Sequence, residues 1–144
     1  MPTDLSTIDP TTLQPGPSTD ALVAELLGWK KSKPPSYVDK QCQRWITPDG
    51  DLRYIGGCFI YANSFRPSRD PDHAGELRRA AVDFTLYYMP KLASVGCYIW
   101  HDEDGKASHS AASLEETNGD KAAAEALAVT RAFVAAMIAE QEKK

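Results

Sequence analysis

Val95-Gly96-Cys97-Tyr98-Ile99-Trp100, followed at once by His101-Asp102-Glu103-Asp104-Gly105, decides how the chain is read. Successive strand residues point to opposite faces, so Val95, Cys97 and Ile99 share one side while Tyr98 and Trp100 share the other. Both sides are apolar. An antiparallel sheet wetted on one face shows polar residues at every second position, so the stretch predicts a strand covered above and below. Asp102-Glu103-Asp104-Gly105 then reads as a type I turn whose glycine supplies a positive φ, the three-residue hairpin with a bulge. On that reading Tyr98, Ile99 and Trp100 pair with Ser108, His109 and Ser110.

The same turn chemistry recurs upstream, where Thr47-Pro48-Asp49-Gly50 joins Arg44, Trp45 and Ile46 to Leu52, Arg53 and Tyr54. Cys58 and Ile60 oppose Phe59 and Tyr61, again oily on both sides. Helices to cover these strands are legible. Asp70 is a strong N-cap with Pro71 behind it, and Leu77, Ala80, Ala81, Phe84, Tyr87 and Tyr88 have helical spacing up to Pro90. Ser18 or Thr19 caps a first helix from Ala21 to Leu27, closed by Gly28 and sealed by Trp29. A last helix starts at Thr117, with Asp120 in a capping-box position, and runs through Leu127, Val129, Phe133, Val134, Met137 and Ile138. Lys30 to Ser36 reads as a polar linker broken by Pro34 and Pro35.

The expected fold class is therefore α/β in the α+β sense: a mostly antiparallel sheet of two hairpins with helices packed on its faces, an alpha-beta-alpha sandwich. Residues 1–17, with four prolines, read as a disordered Pro/Thr-rich tail, 18–140 as a single domain, and 141–144 as a frayed charged end.

Composition bounds the function. With 144 residues and 42% apolar content the chain builds one core, not two. Twenty acidic and 16 basic residues are mixed along it, for a net charge of -4, so no basic stripe follows a phosphate backbone and nucleic acid is disfavoured as a partner. No unbroken apolar run approaches the roughly 20 residues of a membrane span, and residues 1–20 lack the basic and apolar regions of a signal peptide, so a cytoplasmic setting without membrane partners is expected.

Chemistry-bearing residues are sparse. Cys42, Cys58 and Cys97 lack CxxC spacing and read as reduced, buried thiols. His101 and His109 flank the second turn near Asp102 and Asp104, but a metal needs three or four convergent ligands, and turn aspartates are ordinary backbone acceptors. Ser108, Ser110 and Ser113 have no GxSxG elbow and read as outward positions of an edge strand. Glu115 and Glu116 suit the positive pole of the helix that follows. No catalytic residue, metal site or cofactor is implied. The aromatics are more suggestive: Trp45, Tyr54, Tyr61, Phe65, Tyr87 and Tyr88 exceed what one small core absorbs. Tyr61, Phe65, Tyr87 and Tyr88, together with Arg66 and Arg69, have the composition of a protein-binding hot spot. A homo-oligomer is compatible with the same residues.

The pattern resembles the phage ABA sandwich domain, a family of small phage and prophage proteins. The resemblance is carried by Leu27-Gly28-Trp29-Lys30, by Pro34-Pro35-Ser36-Tyr37, by the segment Leu77 to Phe84, and by the strand, turn, strand and helix from Cys97 to Met137. It spans Thr19 to Ala139 and departs at Gly56 to Arg69, where a stretch ending in Arg66-Pro67-Ser68-Arg69 lengthens the centre. It implies a phage accessory protein with no catalytic residues to carry over. The expected function is binding of a host macromolecule, a host protein first. Inhibitors of host defence, including those of CRISPR complexes, are a subclass that rests on the phage setting and on no residue. The alternative is capture of a nucleotide or small signalling molecule by Arg66, Arg69, Arg78 and Arg79, weighed against their forming a solvated face with Glu76 and Asp83. A hydrolytic enzyme ranks third.

Overall fold

Helix α1, Pro17–Leu26, opens on a proline whose missing N–H would have been unpaired in any case. The computed structural model describes residues 7–33, 42–56, 64–77, 83–100 and 106–142. No side chain caps α1, and Thr19 donates from its hydroxyl to the Gln14 carbonyl instead. The helix ends as its sequence requires. Trp29 N donates back to Ala24 O at 3.0 Å because Gly28 takes a φ of +83°, which an L side chain rarely adopts. That turn drops Trp29 onto Phe65, with ring centroids 4.5 Å apart.

Strands β1 (Lys30–Ser32), β2 (Gln43–Ile46) and β3 (Leu52–Ile55) form one antiparallel sheet. Thr47 and Gly50 close the first hairpin, Gly50 N donating to Thr47 O at 2.8 Å, and Arg44, Trp45 and Ile46 pair with Tyr54, Arg53 and Leu52. This is the register expected from the turn. Helix α2 is short, Pro71–Gly75, and Asp70 caps it by accepting from Asp72 N. A second antiparallel sheet follows, ordered β4 (Asp83–Met89), β5 (Ser94–Trp100), β6 (Ala107–Ser113). Helix α3, Lys121–Glu142, closes the fold. The protein is thus a mixed α+β domain built on antiparallel sheets with helices packed against them.

α3 is the centre. It lies across β5 and β6 and carries α2 and α1, and every residue from Ala126 to Val134 is buried. Leu127, Phe133 and Val134 are almost wholly enclosed, each stabilising the fold by roughly 1.5–3 kcal/mol. The first sheet joins this core through Trp45 and Ile55. By length and composition Lys121–Gln141 is apolar enough to cross a membrane, which a search for an unbroken apolar run misses because Glu125 and Arg131 punctuate it; 61% of its most apolar 18 residues are buried in the domain.

Several local expectations are corrected. The helical stripe expected from Leu77 to Tyr88 is corrected at its C-terminal part: α2 stops at Gly75, Phe84, Tyr87 and Tyr88 lie in strand β4 (Asp83–Met89), and Ala80 and Ala81 fall outside the described residues. Pairing with β5 along all seven residues outweighs the local spacing. Lys30 to Ser32, read as linker, is an edge strand held by Arg44, Trp45 and Ile46. The cap of α3 is Asp120, which accepts from Ala123 N at 3.1 Å, after Asn118 and Gly119 turn through positive φ. In the stretch read as a tail, Ile8 and Leu13 pack against the core and Arg131 donates from Nε to Leu13 O at 2.9 Å.

The second hairpin is one residue out of the expected register. Tyr98, Ile99 and Trp100 pair with His109, Ser108 and Ala107. A one-residue slip exchanges faces along the whole strand, so Ser110 is buried on the α3 side and is not an outward position.

Asp20 shows how α1 is tied down. Its fully buried carboxylate accepts from Ser68 N at 2.9 Å and Ser68 Oγ at 2.7 Å, while Arg69 reaches the other oxygen at 3.3 Å. Burial pushes the carboxyl above the ordinary range, and the Ser68 and Arg69 contacts only partly offset it. A raised value means that folding favours the protonated acid. Its contribution is complete below the ordinary carboxyl range of about 4 and declines as pH rises through the raised value. Denaturant titrations between acid and neutral pH are therefore expected to show the parent losing stability relative to Asp20→Asn as pH rises. Asp20→Ala strands the Ser68 amide and is expected to lose about 2–3 kcal/mol in acid, a loss that shrinks as pH rises through the raised value.

Candidate functional site

Among the described residues, those singled out as a binding cluster do not come together. Phe65 is fully buried between Trp29 and His73, with the Arg53 guanidinium 4.9 Å from its ring centroid. Arg69 is engaged with Asp20. Arg66 donates its main-chain N–H to His73 Nδ1, and its Nε is buried with no hydrogen-bond partner among the described residues. Tyr87 and Tyr88 lie on opposite faces of β4, as strand geometry demands. Tyr61, Arg78, Arg79, Cys58, His101, Asp102 and Asp104 fall outside the described residues. The arginine set expected to hold a nucleotide thus has one member spent on an internal ion pair.

A different surface is built instead. On β4–β6, the sides of Phe84, Leu86, Val95, Cys97 and Ile99 face α3, and the other side carries Tyr87, Tyr98, Trp100 and His109. The expectation that both faces of β5 are covered is not met among the described residues: Tyr98 is 39% exposed, His109 is exposed and Trp100 half-buried. α3 has only one flank to offer, and the first sheet packs elsewhere. The rings cover one another in part. Tyr98 and His109 are 4.4 Å apart between centroids, Tyr87 and Tyr98 5.7 Å, and Tyr98 and Trp100 5.8 Å.

Gly96 is the seat of this cluster. It pairs with Tyr87 across the ladder, and the Tyr87 ring occupies the space that a Cβ at position 96 would need. The ring crosses β5, so that its hydroxyl meets His109 Nε2 on β6. Desolvation, then the neighbouring Tyr98, pushes the Tyr87 phenol upward. It therefore stays protonated near neutral pH. Gly96→Ala is expected to evict the Tyr87 ring, to abolish its near-ultraviolet dichroism with Tyr98, and to lose about 1–3 kcal/mol in urea unfolding.

The remaining cavities offer little chemistry. One, of about 650 Å³, is a cleft between α1 and the first sheet lined by Leu22, Glu25, Trp29, Lys31, Gln43 and Trp45. It brings one carboxylate and one ammonium among apolar walls. Among the described residues no three His, Cys, Asp or Glu side chains gather as a metal-binding group. The Cys97 thiol, buried under α3, is pushed up to about 12 by desolvation and is held as the unreactive thiol.

Sequence reasoning places Tyr98 and Trp100 on one face but assigns that face to the core. The usable signal is the company they keep: Gly96, Ala107 and Ala111, small residues that leave rings standing proud of a sheet.

What the fold and this surface define is a small α+β protein with one sheet face packed on a helix and the other an open aromatic patch. A scan against protein-family models and searches of curated proteins and of solved structures each returned no match.

Proposed function

We propose that this protein is a non-enzymatic binding protein, a phage or prophage accessory factor that occludes a host protein through the open face of β4–β6. The observation that carries the reading is the set of rings in mutual contact on this face, Tyr98 and His109 exposed with Tyr87 and Trp100 half-buried beside them. Rings already held by Gly96 and by each other lose little freedom when a partner docks, and tyrosine, tryptophan and histidine offer large contact area with polar tips. Among the described residues the face carries a single formal charge, Asp83, at one end, which supports a protein partner over a phosphate chain. The region from Phe59 to Arg69, whose composition suggests contact, gives way to this surface, because Phe65 is interior and Arg69 is paired.

The test compares the parent with a Tyr98→Ala, Trp100→Ala variant, both immobilised and exposed to lysate of a bacterial host. A stoichiometric partner retained by the parent and lost by the variant, with unchanged far-ultraviolet dichroism in the variant, is the expected result. A partner retained equally by both removes this face from the reading, and recovery of a nucleotide in its place favours the alternative.

A further inference from the structure

The second sheet has two edges, and the chain finishes them differently. Leu114 N donates to Ala93 O at 2.7 Å, which sets the phase of the ladder. Counting by twos from that pair, β5 bonds β6 through Val95, Cys97 and Ile99, and bonds β4 through Ser94, Gly96, Tyr98 and Trp100. On β4 the main-chain groups of Phe84, Leu86 and Tyr88 therefore point away from the sheet, and the Phe84 amide donates to Asp83 Oδ1 at 2.8 Å. On β6 the outward groups are those of Ala107, His109, Ala111 and Ser113. Two of these are taken: Arg131 donates to Ala111 O at 2.9 Å, and Ser113 N donates to Glu116 Oε2 at 2.8 Å. Nothing comparable covers Leu86 and Tyr88 among the described residues.

Their side chains are also only partly covered. Leu86 and Tyr88 face the α3 side, yet remain 37% and 40% exposed, because α3 lies over β5 and β6 rather than β4. A seven-residue edge without proline, lysine or bulge lacks the devices by which proteins keep such edges from pairing.

We propose that β4 pairs with β4 of a second copy of this chain, antiparallel about a two-fold axis at Leu86, fusing two three-stranded sheets into one of six. The strand complements itself in this register. Leu86 meets Leu86, Phe84 meets Tyr88, Thr85 meets Tyr87, and Asp83 stands opposite Met89, so no like charges face each other. The ends also complement. Asp83 is acidic at the start of β4, while Lys91 follows its end and Lys121 Nζ lies 4.3 Å from the Tyr88 ring centroid. Antiparallel pairing brings each acidic end to a basic one. The apolar side chains of Leu86 and Tyr88 gain from the second copy the cover that α3 does not give them. Leu86 in each copy offers both its N–H and its C=O to the other, so the dyad adds a closed ring of two hydrogen bonds. The open aromatic faces of the two copies would then form one continuous surface.

The test is sedimentation velocity of the full chain across about 1 to 100 µM, the range suited to an interface of two strands and their flanking side chains. The mass is expected to rise from 15.8 kDa to twice that value, while amide exchange at Leu86 and Tyr88 slows with concentration. Leu86→Lys sets two ammonium groups face to face and is expected to weaken association at least about tenfold, a change of 1.4 kcal/mol. Tyr98→Ala, on the other face, leaves association unchanged. A parent that stays at 15.8 kDa throughout overturns the proposal, including when it accepts a strand from some other protein. So does a Leu86→Lys chain that dimerises like the parent. Should that variant fail to fold, concentration-independent exchange at Leu86 and Tyr88 in the parent overturns it equally.

Discussion

Arg131→Ala is expected to lose about 3–5 kcal/mol of folding stability, a large part of what a domain of this size possesses. The side chain is 3% exposed and binds three separate pieces of chain. Nε donates to Leu13 O at 2.9 Å, Nη1 to Ala111 O at 2.9 Å, and Nη2 to Glu116 Oε1 at 2.8 Å. Truncation leaves two carbonyls and a carboxylate without their donor and opens a void beside α3. Glu116→Ala tests the same knot from outside, stranding a buried guanidinium. The pair also has a pH signature. Hydrogen bonds from Arg131 hold the Glu116 carboxyl down at about 2, against an ordinary 4.5. A depressed value means that its contribution is present above 4.5 and is lost as pH falls toward 2. Acid titration of the parent is expected to show a stability decline in that window that Glu116→Gln lacks.

Phe65→Ala is expected to destabilise by a comparable amount, about 3–5 kcal/mol. Phe65 is fully buried, tilted against Trp29 and stacked on His73. Arg53 lies over its ring and is itself fixed by two bonds to Glu76, at 2.8 and 3.0 Å. The Phe65 amide also donates to Tyr54 O, joining the segment to β3. Urea unfolding separates this from a contact role: a surface anchor would lose partner affinity while stability moved by no more than about 0.5 kcal/mol.

The two substitutions mark where the sequence can be read and where it cannot. Turn chemistry carries the first hairpin to the correct register, because Pro48-Asp49-Gly50 admits few backbones and Gly50 takes its φ of +90°. Gly28 places the end of α1 for the same reason. β4 is misread from spacing because a separation of four residues keeps a common face in both a helix and a strand, so Phe84 and Tyr88 fit either template. The composition of Asp83-Phe84-Thr85-Leu86-Tyr87-Tyr88-Met89, rich in aromatics, favours the strand. What settles it is β5, and a partner strand leaves no trace in local spacing. Phe65 and Arg69 look like contact residues because composition counts aromatics and arginines without knowing that Trp29 and Asp20 wait for them.

The second hairpin slips by one residue for want of a deciding pattern on β6, where Ala107-Ser108-His109-Ser110-Ala111-Ala112-Ser113 is small on both sides and weakly commits either face. The aromatic patch follows from the same gap. Tyr98 and Trp100 read as buried only if oily residues must have cover, whereas much of any protein surface is apolar.

The central position of α3 has a consequence during synthesis. Every strand leaves the ribosome before this helix does, and the bonds that close the domain join residues as far apart as Leu13 and Arg131. Until Lys121–Glu142 emerges, Val95, Cys97 and Ile99 have no helix to lie under, and the nascent chain carries its greasiest strand bare.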